Sequence, residues 1–357
     1  MLAFAQNGCD SGSVKFDFTV CFEGRFSREL RSCGAQVQNL GAVRIRNPIS
    51  VVKARERLRS VFSSFKYDAA ICHSAWLHSI FGPAVYDSQV PLLYWLHGPT
   101  SGHHWLERWA SRTRPDKVIC CSKFTANLAW KLFPGVSTEV VYPPMAPLAQ
   151  SPLIPARRVV RVELDTALDS VVIVQVSRME ALKGQLRLVE ALARLRDLPN
   201  WTCWIVGGPQ RSSEAQYMRE LQAAAQHSGI AERVRFAGER SDVPQLLRAA
   251  DLFCQPNTDP EGFGQVFVEA LWAGIPVVTS AMGGGLEIVD STCGVLISPN
   301  DLTALTSALR RLVTDPGLRT RMGKAAPARA LQLCEPSRQV ARLAEVLQEA
   351  VFQESTV

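Results

Sequence analysis

The 357-residue sequence contains no run of about 18 uncharged apolar residues, which argues against a membrane-spanning helix. Its ten cysteines include no Cys-x-x-Cys pair and no metal-ligand spacing, which argues against a zinc-type site. Most of them lie inside apolar runs, so we expect buried, reduced thiols in a cytosolic protein. Internal repeats and low-complexity tracts are absent, and the apolar start Met1–Ala5 is far too short for a signal peptide.

The residues that are present are typical of a soluble globular protein. The composition is 47% apolar and 20% charged, which excludes a disordered, collagen-like or coiled-coil chain. The formal net charge of +6 is uneven, because residues 1–147 carry 17 Lys and Arg against 10 Asp and Glu, a net of +7. Such a basic half suits nucleic acid, an anionic membrane surface or a phosphorylated substrate, or it has no functional meaning.

Short apolar runs alternate with longer periodic stretches along the whole chain. Strands are predicted at Phe16–Phe22, Ala69–His73, Leu92–His97, Val118–Cys121, Glu139–Tyr142, Ser170–Val176, Thr202–Val206, Arg233–Ala237, Leu252–Gln255, Val277–Thr279 and Gly294–Ile297. Helices are predicted at Arg25–Cys33, Val51–Phe65, His103–Ser111, Lys123–Phe133, Gln185–Leu195, Ser213–His227, Val243–Ala249, Val266–Trp272, Leu302–Thr314 and from Pro336 to about Ala350. Apolar strands that alternate with helices predict parallel sheets covered on both faces. So many strands favour an α/β protein of two doubly wound, Rossmann-like domains.

The domain boundary is predicted from proline. The stretch 142–155 carries five prolines and no charge, and proline suits neither a helix interior nor a central strand. We therefore expect an amino-terminal domain over 1–147, a linker over 148–155 and a carboxy-terminal domain over 156–335. The remaining residues, 336–357, are predicted to form a helix that packs back towards the first domain.

The most informative segment follows the predicted strand Leu252–Gln255. Gly262 and Gly264 flank Phe263 and allow the backbone to approach a ligand closely, and a helix then starts near Gln265. The free amides and positive dipole end of that helix favour an anion. Two carboxylates, Glu261 and Glu269, are unusual in a pure phosphate site and indicate a ligand that also presents hydroxyl groups.

This Glu-x7-Glu segment resembles that of retaining GT-B glycosyltransferases, most closely glycosyltransferase family 4. The resemblance covers residues 160–335 and, more loosely, residues 16–147. Four further segments resemble family motifs in the right order: Val176–Gly184, Phe236–Val243, Met282–Asp290 and Cys293–Asp301. The resemblance implies two Rossmann-like domains that face a cleft.

The resemblance also implies roles for the site residues. Glu261 is expected to bind hydroxyls of the donor sugar, and Glu269 the ribose of the nucleotide. Arg178 and Lys183, on the loop that leaves a strand, are expected to bind the diphosphate and stabilise its charge as it leaves. The remaining donor-binding positions are the backbone segment Gly262, Phe263, Gly264 and Gln265.

The first domain contributes one candidate catalytic residue, His97, at the end of an apolar strand. The family often has a histidine there that reaches the donor sugar, although a hydrogen-bonded strand-end histidine is the simpler reading. His103 and His104 have no third ligand at a credible metal spacing. Ser122 resembles a family position at a helix start, and we expect it to cap that helix.

No Asp-x-Asp pair occurs in the chain, and GT-A enzymes normally need one to hold a metal on the diphosphate. We therefore expect no metal and no cofactor.

Family members open with a strand, a Gly-rich loop and a long helix before the segment matched by Phe16. Residues 7–13 are no substitute for that loop, so a central strand is expected to be missing. Either the true start lies upstream, or the chain is a truncated and inactive paralogue.

The leading hypothesis is a retaining glycosyltransferase of the hexosyltransferase type (EC 2.4), acting in cell-surface polysaccharide or glycolipid assembly. Its expected partners are a nucleotide sugar and a carbohydrate or lipid-linked acceptor, at the inner membrane face or elsewhere in the cytoplasm. The alternative is an inactive protein that binds sugar nucleotides or acts as a scaffold. An NAD-dependent oxidoreductase is disfavoured because Gly262-Phe-Gly264 lacks the third small residue. A nucleic-acid binder is disfavoured because the basic residues form no known module.

Overall fold

A computed structural model describes residues 2, 4–6, 14–147 and 153–354. The chain divides into two compact units. The first unit contains the chain up to Ala146 together with the segment from Cys334 onward, and the second runs from Pro147 to Leu333. Residues 7–13, and residues 148–152 of the predicted linker, lie outside the described ranges.

The described residues form parallel strands in three sheets. The strands are β1 Phe18–Val20, β2 Val37–Asn39, β3 Ala70–Cys72, β4 Leu92–Leu96, β5 Lys117–Cys120, β6 Thr138–Val140, β7 Val171–Val176, β8 Trp201–Val206, β9 Val234–Gly238, β10 Leu252–Gln255, β11 Val277–Ser280 and β12 Gly294–Ile297.

Helices connect and flank these strands. They are α1 Arg25–Ser32, α2 Pro48–Ser64, α3 Ala75–Asp87, α4 Trp105–Ala110, α5 Lys123–Ala129, α6 Leu153–Glu163, α7 Gln185–Ala193, α8 Ser212–His227, α9 Val243–Ala249, α10 Gln265–Trp272, α11 Gly285–Ile288, α12 Leu302–Thr314, α13 Pro316–Cys334 and α14 Pro336–Glu354. Within the described part of the chain, none of them is long and apolar enough to cross a bilayer.

The first unit contains a two-stranded sheet, β1-β2, and a four-stranded sheet in the order β3-β4-β5-β6. Residues of α14, among them Leu343 and Val346, pack against Trp95 and Ile119 of the larger sheet. Among the described residues, no strand joins the two sheets. The expectation that an opening strand is missing stays a prediction.

The second unit has one six-stranded sheet in the order β12-β11-β10-β7-β8-β9. Two of its interior strands are buried along their whole length: every residue of β8 and β10 is buried. That burial explains why these strands are almost continuously apolar in sequence. The predicted α/β class with two Rossmann-like units is confirmed.

The proline-rich boundary was predicted only in part. The predicted linker extended to Pro155, but α6 begins at Leu153, so the last three linker residues are helical. Pro155 lies in the first turn of α6, where the missing amide hydrogen costs no internal hydrogen bond. The proline content therefore predicted the carboxy-terminal end of the linker three residues too late.

Candidate active site

The strand order of the second unit creates a switch point between β7 and β10. The chain starts at β7, adds β8 and β9 on one side, and then returns to place β10, β11 and β12 on the other. Ligands of open α/β sheets bind outside the carboxyl ends of the strands at such a point. The loop after β7 carries Arg178 and Lys183, and the loop after β10 carries Glu261.

The structure brings Lys183 and Glu261 into contact at this edge. Lys183 Nζ donates to Glu261 Oε1 at 2.8 Å, and the two side chains are only 13% and 22% exposed. The second oxygen, Oε2, accepts from Asn257 Nδ2 at 3.1 Å and from Gln255 Nε2 at 3.2 Å. The carboxylate is thus fixed by one cation and two carboxamides in a setting with little solvent, where such bonds are strong.

The loop that carries Glu261 is packed tightly against its neighbours. The Gly284 amide donates to the Glu261 carbonyl oxygen at 2.9 Å. Gly283 has a φ of +55°, and a Cβ at this position would collide with the Glu261 backbone. Gly262, Phe263 and Gly264 are all buried. The Phe263 side chain is therefore anchored in the protein interior.

Helix α10 starts from a left-handed residue, Gly264, with a φ of +100°. Gln265, the first helical residue, is exposed. Glu269 lies one turn further along and is half-buried, and this burial raises the pKa of its carboxyl. The amino end of α10 thus combines an anion-favouring dipole with a carboxyl group whose pKa is raised by burial.

Arg178 lies on the same loop as Lys183 but makes a different contact. Its Nη1 binds Glu180 Oε1 at 2.9 Å, and its side chain is 60% exposed. Lys183 is the cation that contacts Glu261, whereas the guanidinium of Arg178 points to a partner on its own loop. The prediction that both cations bind one diphosphate stays a prediction.

His97 directly follows β4 in the first unit and contacts a residue that the sequence reasoning missed. His73 Nδ1 lies 3.0 Å from His97 Nε2, so one nitrogen donates and the other accepts. Both rings stack near Trp95, with centroid distances of 5.3 Å for His73 and 5.6 Å for His97. Since β3 and β4 are parallel neighbours, two histidines that directly follow them must meet at one edge. That pairing was the available signal.

Desolvation, with a smaller contribution from the neighbouring His97, lowers the pKa of His73 to about 3. Desolvation also lowers the pKa of His97 to about 4. His97 is exposed to solvent and His73 is half-buried, so burial disfavours the charged imidazolium more strongly at His73. A neutral His97 can offer one ring nitrogen to a hydroxyl group while the other stays on His73.

Two other sequence candidates have local structural roles. The ring of His104 accepts from the Leu106 amide at 3.3 Å and caps α4. Ser122 accepts from the Thr125 amide at 3.0 Å, which confirms its predicted capping of α5. Among the described residues, no group of three or more His, Cys, Asp or Glu side chains is arranged to hold a metal ion.

Two family models match the chain in succession. The model described as Glycosyltransferase Family 4 matches residues 15–146, and the model described as Glycosyl transferases group 1 matches residues 157–329. The two matches correspond to the two resemblances inferred from the sequence, and together they leave only short segments unmatched.

Curated relatives and solved structures agree with these matches. A GDP-mannose-dependent alpha-(1-6)-phosphatidylinositol monomannoside mannosyltransferase of Mycolicibacterium smegmatis is 35% identical over 189 residues, which cover 50% of this chain and 48% of the relative. A D-inositol 3-phosphate glycosyltransferase of Salinispora tropica is 34% identical over 233 residues, which cover 62% and 46%. The chain thus spans about half the length of the curated relatives it matches.

The structural match is more extensive. Anabaena HepE, solved in complex with UDP-glucose, has a TM-score of 0.82 and 25% identity, over 98% of this chain and 94% of that chain. The parallel sheets, the two family domains and this match agree with one another. The chain therefore belongs to the GT-B glycosyltransferases, with a family 4 domain followed by a group 1 domain.

Proposed function

We propose that this chain is a retaining glycosyltransferase that moves a sugar from a nucleotide-diphosphate donor to an acceptor hydroxyl. The observation that carries the proposal is the Lys183–Glu261 pair at the switch point of the second unit. A partly buried carboxylate next to a cation suits a ligand that presents hydroxyls beside a diphosphate. The HepE structures contain UDP and UDP-glucose, which supports a donor of this class.

In the proposed reaction, Glu261 accepts hydrogen bonds from the sugar, and Glu269 accepts from the ribose. Lys183, Arg178 and the backbone from Gly262 to Gln265 stabilise the diphosphate as negative charge develops on it. The role of His97 at the donor sugar stays an expectation from the family resemblance. The leaving diphosphate takes the proton of the acceptor hydroxyl, so no separate protein base is assigned. We assign no metal, because the sequence has no Asp-x-Asp pair to hold one.

Glu261→Gln is expected to abolish transfer and leave folding intact, since the amide keeps the size but loses the negative charge that Lys183 contacts. Lys183→Ala is expected to weaken both nucleotide binding and turnover by tenfold or more, because it removes the cation. Calorimetry with UDP-glucose and GDP-mannose, together with a transfer or hydrolysis assay, measures both effects. Two variants with the parent's rate would show that the site is assigned wrongly.

The same assay separates the enzyme from the scaffold alternative. Binding of a sugar nucleotide by the parent chain without any turnover would favour an inactive binding protein. Turnover that depends on Glu261 would favour the enzyme. The matched control is Arg158→Ala, an exposed cation on α6, for which we expect the parent's affinity and rate.

The proposed acceptor is a carbohydrate or a lipid-linked saccharide of cell-surface polysaccharide or glycolipid assembly. The Mycolicibacterium smegmatis relative is named for a phosphatidylinositol mannoside, which supports a lipid-linked class.

The first unit has a surface cavity of about 400 Å³, which is lined by Trp105, Arg108, Trp109 and Arg112. These residues recur at helical spacing and combine indoles with guanidinium groups, as at membrane interfaces.

We therefore propose that this surface contacts anionic lipid, which would place the protein at the inner membrane face. In flotation assays, the parent is expected to bind vesicles that contain phosphatidylglycerol better than neutral vesicles. Arg108→Glu should reduce this binding more than Arg46→Glu, an exposed position of the same unit with the same charge change. Equal binding to neutral and anionic vesicles would rule out the membrane contact.

A further inference from the structure

Two buried carboxamides, Gln255 and Asn257, lie behind the Glu261 carboxylate. Gln255 is the last residue of β10 and has no exposed surface, and Asn257 is 3% exposed. Gln255 Nε2 donates to Asn257 Oδ1 at 2.9 Å and to Glu261 Oε2 at 3.2 Å. Asn257 Nδ2 donates to the same Oε2 at 3.1 Å. The three side chains form a closed hydrogen-bonded triangle.

The chemistry of the acceptors fixes the orientation of both amides. A flipped Gln255 would place Oε1 against a carboxylate oxygen and an amide oxygen, which repel it. A flipped Asn257 would do the same at Glu261. In the assigned orientation, Gln255 Oε1 is buried and has no partner among the described residues. The amide therefore leaves one acceptor unpaired while both of its hydrogens are committed to the triangle.

From this geometry we propose that Gln255 and Asn257 are positioning residues that fix the Glu261 carboxylate for the donor sugar. Oε2 accepts from two amides and Oε1 accepts from Lys183, so three of the four acceptor positions of the carboxylate are occupied and one on Oε1 remains for a ligand. These three bonds hold the carboxylate in a single orientation. The proposal rests on the proposed function, in which Glu261 binds sugar hydroxyls and the nucleotide is bound by other groups.

The proposal predicts a specific split in affinity. Loss of either amide should weaken the sugar contribution to binding and leave the nucleoside diphosphate contribution unchanged. Gln255→Leu and Asn257→Ala are expected to lose at least tenfold in affinity for UDP-glucose or GDP-mannose, whichever the parent binds. Their affinity for UDP or GDP alone should stay within twofold. A merely structural role would weaken both ligands together.

Thr202→Val is the matched control. Thr202 is a buried polar residue of the same sheet. Its hydroxyl pairs with that of Ser170 at the amino ends of β7 and β8, away from the carboxyl ends that carry Glu261 and Lys183. We expect this variant to keep the parent's affinity for both the sugar nucleotide and the nucleoside diphosphate. Circular dichroism and thermal melting check that all variants fold.

A crystal structure of Gln255→Leu without nucleotide provides a second measurement that does not depend on ligand binding. We expect the Glu261 carboxylate to adopt a different rotamer or to be disordered. An unmoved carboxylate, or an unchanged ratio of sugar-nucleotide to nucleotide affinity in both variants, would overturn the proposal. A parent that binds no probe would instead count against the proposed function, and the crystal structure would still decide the positioning role.

Discussion

At the scale of single residues, His73 carries a pH dependence that can be measured. Desolvation lowers its pKa from the usual 6.5 to about 3. Between these two values the unfolded chain binds a proton that the folded chain does not, so the fold loses stability as the pH falls. From pH 7 to pH 5 this loss amounts to roughly 1–2 kcal/mol for one such histidine.

His73→Gln is therefore expected to show a shallower decrease in unfolding free energy between pH 7 and pH 5 than the parent. Urea unfolding at the two pH values measures the difference, and carboxylates that titrate in both proteins cancel. His227→Gln, an exposed position on α8, serves as the control and should keep the parent's slope. Equal slopes in the parent and His73→Gln would show that His73 is not held neutral.

At the residue level, the sequence motifs singled out two side chains that the structure brings together, and their roles in donor binding stay predictions. Glu261 and Lys183 were found by motif, and the structure joins them at 2.8 Å. Gln255 was missed because it ends an apolar run, where a single carboxamide looks like a tolerated polar residue of the core. His73 was missed because its partner is distant in sequence and only the pairing of β3 with β4 joins them.

At the scale of elements, the start of α10 depends on Gly264, because only glycine adopts the backbone conformation of this position without strain. Gly264 has a φ of +100°, and an added Cβ would lie 2.5 Å from the buried ring of Phe267. Gly264→Ala should therefore cost about 1–2 kcal/mol for the left-handed backbone and a further 1–3 kcal/mol for overpacking. It should also displace the amino end of α10 and weaken nucleotide binding.

Gly229, which follows α8, separates the two costs. Its φ is +67°, and an added Cβ would meet nothing within 4 Å. Gly229→Ala should lower the free energy of unfolding only through the strained backbone conformation, and it should leave nucleotide binding unchanged. Urea unfolding, followed by hydrogen exchange in peptides from β7 and β10, measures how much each of the two variants destabilises the second unit. The packing argument fails if both alanines destabilise the second unit equally.

Element prediction was most accurate where burial is complete and least accurate where proline interrupts a helix. The buried strand β10 and the helices α9 and α12 were predicted with their observed bounds. Helices α3 and α13 were missed, and they contain Pro83 and Pro327. Tertiary packing stabilises these helices: His78 and Ile80 of α3 have no exposed surface. The helix propensities of single residues do not include this packing energy.

At the scale of the whole molecule, the chain returns to complete its first unit. Lys117 of β5, with a side chain only 3% exposed, binds Glu349 of α14 at 2.6 Å. Gln339 Oε1 accepts from the Tyr142 amide at 3.0 Å. The first unit therefore depends on residues more than 190 positions away in sequence, a relation that no local pattern encodes.

Leu343 of α14 tests that dependence, because it has no exposed surface and packs in the cluster that contains Leu93 and Ile119. Leu343→Ala is expected to destabilise the first unit by about 2–5 kcal/mol, since it removes buried methyl groups and leaves a cavity. Hydrogen exchange should then accelerate in β4 and β5 and stay unchanged in β7 and β10, which belong to the other unit. Gln348→Ala, an exposed position on the same helix, should leave both pairs of strands as protected as in the parent. Equal acceleration in all four strands would mean that the two units unfold as one, and that α14 stabilises the entire chain.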